Sequence, residues 1–91
     1  MSRHELEQRD KTVANGQLDI VIGWDRPLNT FFVQVLDPAR DEEDVGHEIL
    51  WRGASFGEIL SPDDAIALVM PWAEIPSDLH DILVADRNRE T

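Results

Sequence analysis

The fold is decided by residues 18–37, which read LDIVIGWDRPLNTFFVQVLD. Over 18–24, apolar residues recur at every second position, the spacing of a strand with one buried face. Residues 30–37 are rich in aromatic and β-branched side chains, which favour an extended backbone. The intervening segment 25–29 contains Pro27, which fixes φ and removes a backbone donor, as turns tolerate well. The stretch therefore predicts a β-hairpin.

The segments that follow predict one more strand and two helices. Residues 48–52, EILWR, indicate a short third strand, antiparallel to the second. Ser61 is placed to cap a helix with Pro62 at its first position, and Ser77 is placed to cap a second helix that ends near Asp86. The order predicts an α+β fold: a three-stranded antiparallel meander followed by two helices packed on one face.

The ends of the chain are polar. In the segment 1–16, Ser2 and Glu5 have the spacing of a capping box, but a helix with so few apolar residues is marginal in water. We therefore expect 1–16 to be a mobile N-terminal arm, 17–87 a single α+β domain, and 88–91 a C-terminal tail.

Composition excludes several classes of function. The chain has 91 residues, with 19 Asp and Glu against 8 Lys and Arg, a formal net charge of −11. This length is too short for a TIM barrel, and the charge disfavours direct nucleic-acid binding, which needs clustered basic side chains. A field of this sign attracts basic partners instead. No apolar run approaches the length of a membrane span. The absence of Cys fits a reducing compartment, so a cytoplasmic location is expected.

One motif resembles that of a nucleophilic enzyme. Residues 53–57, GASFG, match the G-x-S-x-G string in which Ser occupies a sharp strand-to-helix turn. Here the helix signal begins only at Ser61, and the strands of a hydrolase sheet are missing. A small serine hydrolase that uses Ser55 is therefore only a remote alternative, and we expect the protein not to be an enzyme.

The sequence also contains no complete metal-binding or cofactor-binding motif. The acidic run 41–44 hints at a calcium loop, but Val45 and Arg52 stand where oxygen ligands are required. The three His residues are far apart in sequence, and no phosphate-binding glycine loop is present. The sequence predicts neither a metal site nor a cofactor site.

The hairpin tip and one sheet face are the better candidates for binding. Trp and Arg are enriched in binding hot spots, and a rigid hairpin presents them at low entropic cost. If the helices cover one face of the sheet, apolar residues line the other and favour docking or a homodimer; these are Val21, Phe32 and Leu36. The candidate interaction residues are Trp24, Asp25, Arg26 and Leu28 at the tip, Phe32 on the face, and Asp41, Glu42, Glu43 and Asp44 in the acidic loop.

The tryptophans also allow a purely structural interpretation. Trp24 can instead end the buried face of its strand, with Arg26 paired to a nearby acid. Trp51 and Trp72 are expected in the core.

The stretch 21–37, VIGWDRPLNTFFVQVLD, together with LWRG at 50–53, resembles small acidic proteins of unknown function encoded in proteobacterial genomes and plasmids. The resemblance implies a bacterial, cytoplasmic protein with a mobile-element origin. It assigns no activity and no functional residue.

The function expected from the sequence is a non-enzymatic, acidic protein-interaction module. Its partner would be a protein, a basic one or a second copy of the chain, and not nucleic acid or membrane. The alternative is a nucleic-acid mimic that inhibits a DNA-binding protein by placing carboxylates where phosphates would lie.

Overall fold

The protein was analysed as a computed structural model, which describes residues 2–9, 18–41 and 43–90. The described chain forms one antiparallel sheet in the order β1-β2-β3-β4, with two helices, so the α+β class is confirmed. The elements are β1 (His4–Glu5), β2 (Asp19–Asp25), β3 (Thr30–Leu36), β4 (Glu48–Arg52), α1 (Pro62–Val69) and α2 (Leu79–Glu90).

The predicted hairpin is the centre of the sheet. β2 and β3 pair along their whole length, from Asp19 opposite Leu36 to Asp25 opposite Thr30. Asn29 closes the turn with φ of +49°, a left-handed conformation that Asn tolerates. Because partners in a ladder share a face, this register places six large apolar side chains together; they are Ile20, Ile22, Trp24, Phe31, Val33 and Val35.

Both helices pack on that face, which we call the inner face. α1 begins at Pro62, after Ser61 at the N-cap position, and buries Ala65, Ile66 and Val69. The Ser61 side chain makes no capping hydrogen bond. The start of α1 is favoured instead by Pro62 and by the carboxylates of Asp63 and Asp64 in the first turn. α2 buries Leu79 and Leu83 against the same core.

α2 is longer than the sequence predicts, since it continues past Asp86 to Glu90. Arg87 and Arg89 lie in its last turn, where positive charge favours the negative end of the helix dipole. The residues assigned to a C-terminal tail therefore begin inside a helix.

The sheet has four strands, and the prediction of three is wrong. The additional strand, β1, comes from the segment expected to be a mobile arm, and it pairs His4 with Ile22 and Glu5 with Val21. Ser2 caps no helix there: its N–H donates to the Trp24 carbonyl oxygen and its hydroxyl oxygen accepts from the Trp24 N–H, both at 2.9 Å. Residues 2–6 thus lie along β2, and residues 7–9 bond to the segment 72–74, whereas 10–17 lie outside the described residues.

The approach of this segment to the sheet depends on a glycine. A Cβ at Gly23 would lie 2.2 Å from the Ser2 carbonyl oxygen and 2.9 Å from the Phe32 ring. Those distances are far below van der Waals contact, so only glycine lets the N-terminal segment lie this close to β2.

We expect Gly23→Ala to destabilise the protein by about 1–3 kcal/mol, the usual cost of overpacking, because Ser2 and β1 must move away from β2. Urea unfolding followed by circular dichroism measures the change. Gly46→Ala is the matched control, since its added Cβ meets only the flexible end of the Arg40 side chain. Equal stability of the two variants would contradict the close approach at Gly23.

Candidate interaction surface

The sheet face opposite the helices, which we call the outer face, carries the second set of side chains of each strand. One row crosses all four strands, with Glu5 beside Val21, Val21 beside Gln34, and Gln34 beside Trp51. Trp51 is 50% exposed, the largest side chain left open to solvent on the sheet. The outer face therefore carries both polar and apolar side chains, and the Trp51 ring is accessible at its β4 side.

A shallow cavity of about 300 Å³ opens on the outer face near the hairpin tip. Phe32, only 6% exposed, is covered by its neighbours, and the half-exposed Trp51 borders the cavity beside it. Its lining consists of Leu28, Phe32, Trp51, Gly53 and Ala54, with the polar side chains of Arg3, Asp25 and Gln34. Most of the wall is apolar, and one cation and one anion are available to orient a ligand.

The chain after β4 builds one wall of this cavity. Gly53 has φ of +92°, and a Cβ there would lie 2.3 Å from the Phe31 carbonyl oxygen. The following loop then returns to the hairpin: Gly57 donates its N–H to the Leu28 carbonyl oxygen at 2.9 Å, and Ile59 accepts from the Phe31 N–H at 2.9 Å. These bonds fix the loop that follows β4 against the hairpin.

The candidate residues at the hairpin tip occupy different environments. Asp25 and Leu28 line the cavity, and Arg26 is exposed in the turn. Trp24 is only 1% exposed and meets Phe31 edge to face, with ring centroids 4.8 Å apart. Its indole lies in the inner core, as the alternative interpretation of this residue expects, so it offers no surface for a partner.

Trp51 takes the surface role that the sequence suggested for Trp24. It was expected in the core, and that expectation is wrong, because its pairing with Gln34 places it on the outer face. Trp72 is half-buried and packs against the core cluster. The alternation of β4 indicates the outward position of Trp51: because Leu50 points to the core, the next residue must point away from it.

The three residues expected on the uncovered sheet face do lie there, but they are not equally accessible. Val21 and Phe32 are 2% and 6% exposed, because neighbouring side chains on the same face cover them, and Leu36 is half-buried. The accessible part of the outer face is thus smaller than the sequence pattern suggests.

The acidic loop is at the other end of β3 from the cavity. Asp41, Glu43 and Asp44 are exposed, and Glu42 lies outside the described residues. A hydrogen bond from the Gly46 N–H (2.8 Å), with help from Arg40, holds the pKa of Asp44 below its ordinary value. Because β3 spans seven residues, or about 20 Å, the structure does not bring this loop to the hairpin tip.

The remaining polar motifs form small, separate contacts in the described part of the chain. His80 Nδ1 lies 2.8 Å from Asp63 Oδ1 in an exposed pair, and the Ser55 N–H donates to Glu58. Within residues 2–9, 18–41 and 43–90, no hydrogen bond joins Ser55 to a histidine, and no group of three His, Asp or Glu side chains is arranged to hold a metal ion.

Comparison with protein-family models, with curated proteins and with solved structures finds no match to this chain. In the part of the chain that the structure describes, no helix has the length and apolar character needed to cross a membrane.

The two tryptophans should respond differently to truncation. Trp24→Ala empties a buried site and is expected to cost about 3–5 kcal/mol of unfolding free energy. Trp51→Ala, at a half-exposed site, is expected to cost about 1 kcal/mol or less. Urea unfolding of both variants gives the comparison, and an equal loss would contradict the assignment of Trp24 to the core and Trp51 to the surface.

Proposed function

We propose that this protein is a non-enzymatic, acidic interaction module that binds a basic partner protein through its outer face. The observation that carries the proposal is the half-exposed Trp51 ring beside an apolar cavity, on the sheet face opposite both helices. Aromatic side chains held on a rigid element are the typical anchors of protein interfaces, because little conformational entropy is lost when they are covered.

The cavity suits an inserted side chain rather than a flat contact. A space of about 300 Å³ accommodates one large apolar or basic side chain, with Phe32 and Trp51 as its apolar walls. Asp25 supplies a carboxylate for a cation carried by the partner. Arg3, on the same cavity, supplies a cation for an acceptor group, so the partner is bound in one orientation.

The overall charge favours a basic partner over a second copy of the chain. A net charge of −11 accelerates encounter with a basic protein. The same charge makes two copies repel each other, and Arg3 is the one cation that the described residues place at the cavity to offset that repulsion. A homodimer through this face is therefore the weaker form of the proposal.

Mimicry of nucleic acid is the second candidate, and the charge is what favours it. In mimicry the carboxylates themselves are recognised by a nucleic-acid-binding protein, and the Trp51 ring is incidental. The two candidates differ in their response to salt, since contacts between exposed charges are screened whereas burial of an aromatic anchor is not.

The experiment is capture of partners on the immobilised full chain, with identification by mass spectrometry. Three forms are compared in parallel: the unsubstituted protein, Trp51→Glu, and Val45→Glu as a matched control. Val45 is 96% exposed and lies in the acidic loop, so its substitution adds the same charge away from the cavity. We expect a basic protein that survives a high-salt wash, is lost with Trp51→Glu, and is kept with Val45→Glu.

Two outcomes would count against binding through the outer face. A nucleic-acid-binding protein that is released by salt and is indifferent to both substitutions would favour mimicry. Identical sets of retained proteins on all three forms, with none selectively lost, would mean that the cavity binds no partner.

A further inference from the structure

Asp86 is a buried carboxylate that joins the two ends of the chain. It is 3% exposed on α2, yet its contacts reach across to the N-terminal segment. His4 Nε2 donates to Asp86 Oδ2 at 2.6 Å, the Ser2 hydroxyl donates to the same carboxylate, and Arg89 Nη2 donates to Oδ1 at 2.7 Å. Two of these three donors belong to residues 2–6, which we call the strap.

Apart from this cluster, the strap is held by hydrogen bonds to β2 rather than by buried apolar side chains. It contributes a single large apolar side chain, Leu6, which is only partly buried. Cavities of about 170 Å³ and 420 Å³ adjoin Leu6, so that side chain gains less than full packing against the body. Segments with few buried apolar contacts open locally at low free-energy cost, which leaves the polar contacts to decide whether the strap stays closed.

We infer that the strap is a detachable edge of the sheet, latched by the Asp86 carboxylate and able to open while the rest of the fold stays intact. Opening removes the pairing of His4 with Ile22. It also removes the partners of the Trp24 N–H and carbonyl oxygen and of the Ile20 carbonyl oxygen, which now bond Ser2 and Leu6. It also withdraws Arg3 from the outer-face cavity. An open β2 edge of this kind is a template for another extended segment.

The latch should depend on pH in a defined direction. Burial alone would raise the pKa of Asp86, but hydrogen bonds from His4 and Ser2, with the charges of His4 and Arg89, outweigh it and hold the pKa below the ordinary value. On β2, the residue paired with His4 is Ile22, which is uncharged. The contribution of a carboxylate with a lowered pKa is complete above about pH 4 and is lost as the pH falls through the folded-state value.

Amide hydrogen exchange on the full chain tests the inference without knowledge of any partner. At pH 7, Asp86→Asn should lower the protection factors of the Leu6 and Trp24 amides by about tenfold or more, the effect of losing hydrogen bonds to a charged acceptor. The amides of Val33 and Val35, in the centre of the sheet, should keep their protection.

Asp63→Asn is the matched control, because it makes the same chemical change in an exposed aspartate that pairs with His80. We expect it to leave strap protection unchanged. Should Asp86→Asn fail to fold, a pH series on the unsubstituted protein gives the same test: strap amides should lose protection below pH 4 before the central amides do. Loss of strap and central protection together, or a strap that stays protected, would overturn the inference. None of these readouts depends on the proposed partner.

Discussion

The inner face of the β2–β3 hairpin is the surface on which the rest of the structure depends. Its six apolar side chains form one wall of the core, with Trp24 and Phe31 in edge-to-face contact at 4.8 Å. The Trp24 Nε1–H is buried with no partner among the described residues, so packing alone holds this ring. Because a one-residue slip would exchange the two faces of a strand, the register of the hairpin determines where both helices lie and which face stays open.

Much of this architecture can be predicted from sequence because its signals are local. The alternation in 18–24, the turn around Pro27 and the proline at the start of α1 each act within a few residues. β1 gives no such signal, since two residues are too few to show alternation. Its place in the sheet depends instead on Gly23 and Asp86, which are remote in sequence, and neither contact can be inferred from the polar segment itself.

The sequence pattern indicates less about the candidate site than about the fold, because it does not report how exposed each side chain is. Periodicity indicates which residues share a face of the hairpin, but both faces carry apolar residues, and the pattern does not indicate how completely neighbours cover each one. The cavity brings together Asp25 and Leu28, which the sequence assigned to the hairpin tip, and Phe32, which it assigned to the sheet face, and the exposed tryptophan is Trp51 rather than Trp24. The cavity also includes Arg3, which reaches it only because β1 pairs with β2.

In the proposed function, a rigid hairpin, an uncovered aromatic face and a strongly acidic chain act together in binding a basic protein. The location of that contact is the central claim of the proposal. The most direct measurement is a map of backbone amide chemical-shift changes in the isotope-labelled chain when a captured partner is added. We expect changes that cluster at Phe32, Gln34, Trp51 and Gly53, with α1 and α2 unaffected. Changes confined to the helices or to the acidic loop would contradict the proposal.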